Sequence, residues 1–143
     1  MREISAGIII YRKTPEGVKF LLLYHGGGYW SFAKGKIEQE ERSFQTALRE
    51  IREETGLNRN NLKFTPLEKN SLTGFTGPFK VYEKFTFLRG RGAAKTRVFK
   101  TVIFYLAETK KSWVRLSREH DGYGWFSYKE AMKILKHKDS QGV

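Results

Sequence analysis

The stretch "GKIEQEERSFQTALREIREETGL" (35–57) gathers six acids between Glu38 and Glu54, in a chain that holds only 15. The chain as a whole is basic, with 27 Lys and Arg and a formal net charge of +12. Within the stretch, Phe44, Ala47, Leu48, Ile51 and Thr55 recur at spacings of three and four, which predicts a helix over 44–55. Ser43 can cap its start, and Gly56 sits where a left-handed C-terminal residue is expected. At about 100° per residue the apolar positions take one side of this helix. Glu50, Glu53 and Glu54 fall together on a neighbouring side. Three carboxylates that close repel one another unless something positive sits among them. A set without His or Cys favours hard, oxygen-seeking ions, Mg²⁺ or Mn²⁺.

Gly35, Glu41, Arg49, Glu50, Ile51, Glu53, Glu54, Gly56 and Leu57 fill every fixed position of G-x5-E-x7-R-E-U-x-E-E-x-G-U, where U is bulky and apolar. On these residues the chain resembles the Nudix hydrolase superfamily. The resemblance implies an α/β (α+β) fold over one domain, 1–143: an α/β/α sandwich with a mixed central sheet and a loop-helix-loop catalytic motif. It also implies divalent-metal-dependent hydrolysis of a nucleoside diphosphate linked to another moiety. By position, Glu50, Glu53 and Glu54 would hold the metal, the Gly35 carbonyl would complete its site, and one glutamate would serve as base. Arg49 would orient a glutamate through a charge-assisted bond, and Glu41 would support the loop or an outer metal.

Three further stretches resemble the asymmetric diadenosine tetraphosphate hydrolases within that superfamily. "YWSFAKGKIE" (29–38) is similar to their W-x-x-P-K-G lead into the box. "FKTVIFYLAE" (99–108) is similar to their K-T-V-x-Y strand, and "RLSREHDGYGWFSYKEA" (115–131) to their L-S-x-E-H-x-x-x-x-W-x-x-x-E-A segment. By this likeness Lys34 and Lys100 would contact phosphates, Phe104 would offer a face for an adenine to stack on, and Glu119 would add a metal ligand or base outside the box; Tyr82 is a further candidate for substrate binding. There are departures. Ala33 stands where the group has proline, and Gln39-Glu40 replaces Pro-Gly before Glu41. Both changes leave the loop less pre-set, since proline fixes φ and glycine permits φ > 0.

The remaining residues predict strands at 5–13, 18–25, 62–72, 79–89 and 97–108. A loop over 109–122 and an amphipathic helix with Ala131, Ile134 and Leu135 inward complete the order, a mixed layer fold. The start, "MREISAGIII", has no basic leader or cleavage site and reads as a first strand. No apolar run approaches the roughly 18 residues of a spanning helix, so no membrane partner is expected. The chain has no cysteine, which excludes thiolate chemistry and is compatible with a cytoplasmic location.

A sequence pI near 10.0 suits an anionic partner. Between Lys80 and Lys100 seven cations meet one acid, Glu83, with Tyr82, Phe85, Phe87 and Phe99 interleaved. That pattern suits a nucleic-acid strand, although alternation in a β-hairpin also accounts for the aromatics. The resemblance makes hydrolysis of diadenosine tetraphosphate to ATP and AMP the first reading. An RNA 5′-end pyrophosphohydrolase on the same machinery is the second. A non-catalytic Nudix-fold RNA-binding subunit is the third, and it would have no need of the intact glutamate set.

Overall fold

The run Ile8-Ile9-Ile10 lies within the first strand, β1 (Arg2–Thr14). The computed structural model describes residues 1–66 and 78–140, with backbone alone for 137–140. After β1 come β2 (Gly17–Tyr24), β3 (Trp30–Ser31), β4 (Ala33–Lys36) and helix α1 (Ser43–Thr55). Then follow β5 (Lys63–Phe64), β6 (Lys80–Arg89), β7 (Thr96–Glu108), β8 (Gly122–Ser127) and helix α2 (Tyr128–Ser140). Of the strand expected at 62–72, only Lys63–Phe64 forms β5; residues 67–72 lie outside the described residues.

One edge of β1 runs parallel to β7, from Arg2 beside Phe99 to Tyr11 beside Glu108. Its other edge is divided. Ser5–Ile8 pair antiparallel with β4, and Tyr11–Thr14 turn back onto β2. The far edge of β7 carries β6 and then β5, while β8 and β3 extend β2, so the sheet is mixed.

Because side chains alternate along a strand, each face can be read from the register. Ala6, Ile8 and Ile10 of β1 point with Leu21, Leu23, Tyr105 and Ala107 into one buried cluster. Ala47 and Ile51 of α1 close that cluster, with Phe44 and Leu48 packed at its border. Each large apolar side chain buried in this way contributes about 1.5–3 kcal/mol. The opposite face carries Phe20 and Leu22. There the Tyr128 ring, at the start of α2, meets Phe20 edge-on at 6.2 Å between centroids. The two helices therefore cover opposite faces, the sandwich expected from the sequence.

The N-terminus of α1 departs from expectation. Ser43 is the first helical residue and not its cap; its hydroxyl bonds the Tyr105 hydroxyl at 2.6 Å. The flanking residue is Arg42, whose N–H donates to the Gln45 side chain at 2.9 Å. Tertiary packing against Tyr105 has claimed the hydroxyl that local sequence offered to the helix. At the other end Gly56 adopts φ 76°, and its N–H closes the last turn onto the Arg52 carbonyl.

Candidate active site

The acidic stretch folds around one cation. The Arg49 guanidinium donates from Nε to Glu41 Oε2 at 2.7 Å and from Nη2 to Glu41 Oε1 at 3.0 Å. Its Nη1 reaches Glu50 Oε1 at 2.8 Å and Glu53 Oε2 at 3.3 Å, and Nη2 also meets the Lys36 carbonyl at 3.2 Å. Glu38 lies at 3.6 Å. Helical spacing explains the grouping: Arg49 and Glu53 are four apart, and the loop before α1 brings Glu41 back onto the same side. Glu41 is fixed further by the Glu38 N–H and the Thr46 hydroxyl, at 3.0 and 2.9 Å. The Arg49 hydrogen bonds pull its carboxyl down to about 2.

Glu54 lies in different surroundings. It is buried, with 6% of its surface exposed, and the Lys34 N–H donates to its Oε1 at 3.3 Å. Its Oε2 is buried without a hydrogen-bond partner. Burial, then the neighbouring Glu50 charge, pushes this carboxyl up to about 8. Glu50 is also raised, again chiefly by burial, although Arg49 opposes the shift. The charge of Glu119 acts on both Glu50 and Glu54 in the same direction, so the structure brings this residue, remote in sequence, to the box.

Gly35 is where α1 and β4 touch. A Cβ added there would collide with the Glu50 carboxylate, so a larger residue would push that carboxylate off the strand backbone. Arg49 draws Glu41, Glu50 and Glu53 to itself, and among the described residues no three acidic or imidazole groups already form a ligand cage. The residues nonetheless fit a divalent ion. The candidate donors, Glu50, Glu53 and Glu54, are all carboxylates, and Glu54 contributes a buried oxygen that lacks a donor; burying such an atom is costly unless a proton or cation meets it.

The segment bearing Glu119 is held by polar contacts. The Glu119 N–H donates to Ser117 Oγ at 3.3 Å, and Ser117 also meets His120 Nδ1 at 3.0 Å. The His120 ring packs on His25, 4.6 Å between centroids, and His25 Nε2 lies 2.6 Å from Ser31 Oγ. The Asp121 N–H bonds the Tyr24 carbonyl at 2.8 Å, and the Arg115 N–H bonds the Thr55 carbonyl at 2.8 Å. Sequence reasoning missed His25, Ser31 and Tyr24 as supports. Their only signal was "YHGGGYWS" (24–31), a glycine break flanked by rings, which points to a turn and to no particular partner.

The expected substrate residues separate. Lys34 of β4 and Phe104 of β7 flank Gly7 of β1 in one row, on the face opposite the α1 cluster. Phe104, however, is only 5% exposed and packs edge-on against Phe32 at 5.6 Å, so it presents no free face to an adenine. Lys100 lies four residues along β7, ~13 Å away, and pairs with Glu3 at 3.8 Å. Tyr82 is opposite Ile103 and so projects from the other face of the sheet. It does not join Phe104.

The chain matches the NUDIX domain family over residues 1–142 and belongs to it. It is 34% identical to the asymmetrical bis(5′-nucleosyl)-tetraphosphatase of Sus scrofa, over 97% of this chain and 88% of that protein. The Mus musculus protein of the same name is 32% identical over the same shares. Among solved structures, a C. elegans Ap4A hydrolase binary complex superposes with a TM-score of 0.70 at 27% identity, covering 96% of this chain and 89% of that one. The Nudix fold and these relatives make the chain a pyrophosphohydrolase. No helix among the described residues is long and apolar enough to cross a membrane.

Proposed function

We propose that the chain hydrolyses diadenosine tetraphosphate asymmetrically, water attacking a phosphorus so that ATP and AMP are released. The observation that carries this reading is the seating of two inward carboxylates on the β4 backbone, Glu50 against Gly35 and Glu54 on the Lys34 N–H. Similarity to tetraphosphatases over nearly the whole chain supports the substrate class.

Glu50, Glu53 and Glu54, with the Gly35 carbonyl and Glu119, would hold Mg²⁺ or Mn²⁺. When bound, such an ion neutralises phosphate oxygens and lowers the pKa of water. Arg49 positions Glu50 and Glu53 and is itself pinned by Glu41. Glu54 retains its proton at neutral pH in the ion-free protein, and Oε2 is the atom free to carry it. Once that proton leaves, the same carboxylate can bind the ion or accept a proton from the attacking water, a task suited to a pKa near the working pH. Lys34, whose side chain shares the Phe104 face, is the phosphate contact nearest these glutamates; Lys100, paired with Glu3, would steer the substrate.

A competition assay tests the reading. Diadenosine tetraphosphate and a short 5′-triphosphorylated RNA are offered together with Mg²⁺, and the products are resolved. ATP plus AMP is expected to dominate. Preferential release of pyrophosphate or phosphate from the RNA would move the function to transcript 5′ ends. Unchanged turnover in Glu53→Gln would sink the metal-site assignment altogether.

A further inference from the structure

At their outer end, strands β1, β6 and β7 present a second surface that the catalytic reading does not use. Register assigns it without ambiguity. Tyr82 and Lys84 of β6 lie opposite Ile103 and Thr101 of β7, while Phe99 lies beside Thr86 on one strand and Arg2 on the other. These residues share the face that carries Ala6 and Ile8, but beyond the part that α1 covers. Ile4, Tyr82 and Phe99 are accordingly 50%, 56% and 49% exposed.

Four cations, Arg2, Lys80, Lys84 and Arg97, project from the same face and are exposed. None forms an ion pair among the described residues. The acids of these three strands all alternate to the other side: Glu3 opposite Lys100, Glu83 opposite Val102, and Glu108 opposite Tyr11. There Glu3 gathers Lys36, Arg89 and Lys100 within 3.3, 2.7 and 3.8 Å. The pleat has therefore sorted charge, leaving one face purely basic and studded with two exposed rings. A depression of about 470 Å³ at the sheet's end is lined by Arg2, Ile4, Lys84 and Phe99 of this face and also by Glu3 and Lys100 of the other.

We propose that this face binds single-stranded nucleic acid, with phosphates on Arg2, Lys80, Lys84 and Arg97 and bases stacked on Tyr82 and Phe99. A protein partner fits less well, because interface cores are depleted of charge and of lysine in particular. A duplex fits less well too, since it hides the base faces that exposed rings would stack upon. This surface is separate from the Lys34–Phe104 row and needs neither metal nor a 5′ phosphate.

The test is fluorescence anisotropy of a 5′-hydroxyl RNA decamer, and of a DNA decamer of the same sequence, in EDTA over a salt series. Wild-type protein is expected to bind at least one of them, more weakly as salt rises. Lys84→Gln/Arg97→Gln should flatten the log–log salt slope by about 1.4, from two lost phosphate contacts at ~0.7 each. Phe99→Ala should weaken binding about tenfold at fixed salt without changing the slope. Both variants should turn over diadenosine tetraphosphate like wild type, which controls for folding. Equal binding of RNA and DNA supports the proposal as stated, and a preference for RNA narrows it. Absence of binding, or binding that only Lys34→Gln removes, overturns it. So would Phe99-dependent sedimentation with phosphatidylserine vesicles in place of nucleic-acid binding, which would assign the face to a membrane.

Discussion

Arg49 and Glu41 form a two-pronged ion pair, Nε to Oε2 at 2.7 Å and Nη2 to Oε1 at 3.0 Å, that ties the loop before α1 to the helix bearing the glutamates. The matching planar geometry is what a guanidinium supplies and a lysine does not. Arg49→Lys should therefore lower kcat about 10²-fold, as small misplacements of catalytic groups do, while circular dichroism remains unchanged. Turnover within a factor of two of wild type would show that the fork is not needed.

The same pair predicts behaviour in acid. The Glu41 carboxyl is held at about 2, against an ordinary value of 4.5. Its contribution to stability is then fully present above about pH 4.5 and is lost as pH falls from there towards 2. Acid titration of unfolding should show this loss in wild type and a shallower one in Glu41→Gln. Parallel curves would contradict it.

Glu54 carries the opposite sign. Its folded pKa of about 8 lies above the ordinary 4.5, so the ion-free folded state keeps a proton that the unfolded chain releases. Stability should fall as pH rises through that window, by at most about 1.4 kcal/mol per pH unit from this group. Urea unfolding in EDTA at pH 5.5 and 7.5 should show the drop in wild type and a smaller one in Glu54→Gln. Adding Mg²⁺ at pH 7.5 should restore wild type by about 2.7 kcal/mol at 100 times Kd, and Glu54→Gln far less.

Glu40 has φ 68°, the only non-glycine residue with positive φ among those described. A left-handed conformation costs an ordinary residue roughly 1–2 kcal/mol, and glycine returns roughly 0.5–1 of that as lost chain entropy. Glu40→Gly should stabilise the protein by about 0.5–1 kcal/mol. Equal or lower stability by urea unfolding would mean that the side chain compensates for its strain.

Phe104 separates a packing role from a binding one. Buried and set against Phe32, it should behave as core, so Phe104→Ala should cost about 3–5 kcal/mol in stability. Phe104→Leu should fold and keep a KM for diadenosine tetraphosphate close to wild type. A large rise in KM with unchanged stability would restore the stacking role expected from the sequence.

Much of the frame was legible because it depends on period alone. The α1 pattern placed Ala47 and Ile51 inward, the long strands were found within a few residues, and the α2 pattern placed Ala131 inward, with Ile134 and Leu135 half-buried. Strands β3, β4 and β8 were not read as strands; two glycines thin the pattern of β8, and β3 and β4 are shorter still. Two and four residues carry too little pattern, and they are extended only because β2 and β1 offer free edges to them. The loop departure was legible as well: Glu40, where the related group has glycine, does take the positive φ that glycine would permit.

The sequence by itself determined the family, the glutamate set and the basic character, since each depends on residue type at fixed spacing along one local element. Which face a strand residue occupies, and what lies across from it, was decided only by tertiary structure. A strand's two faces are equivalent until its partners are placed. Pairing β7 between β1 and β6 is what buried Phe104, turned Tyr82 to the opposite side and gave Lys100 to Glu3. Long-range closure likewise carried Glu119 to the box and left Glu54 buried with one oxygen unmet. Burial sets that carboxyl's proton affinity, and burial is a property of the assembled fold.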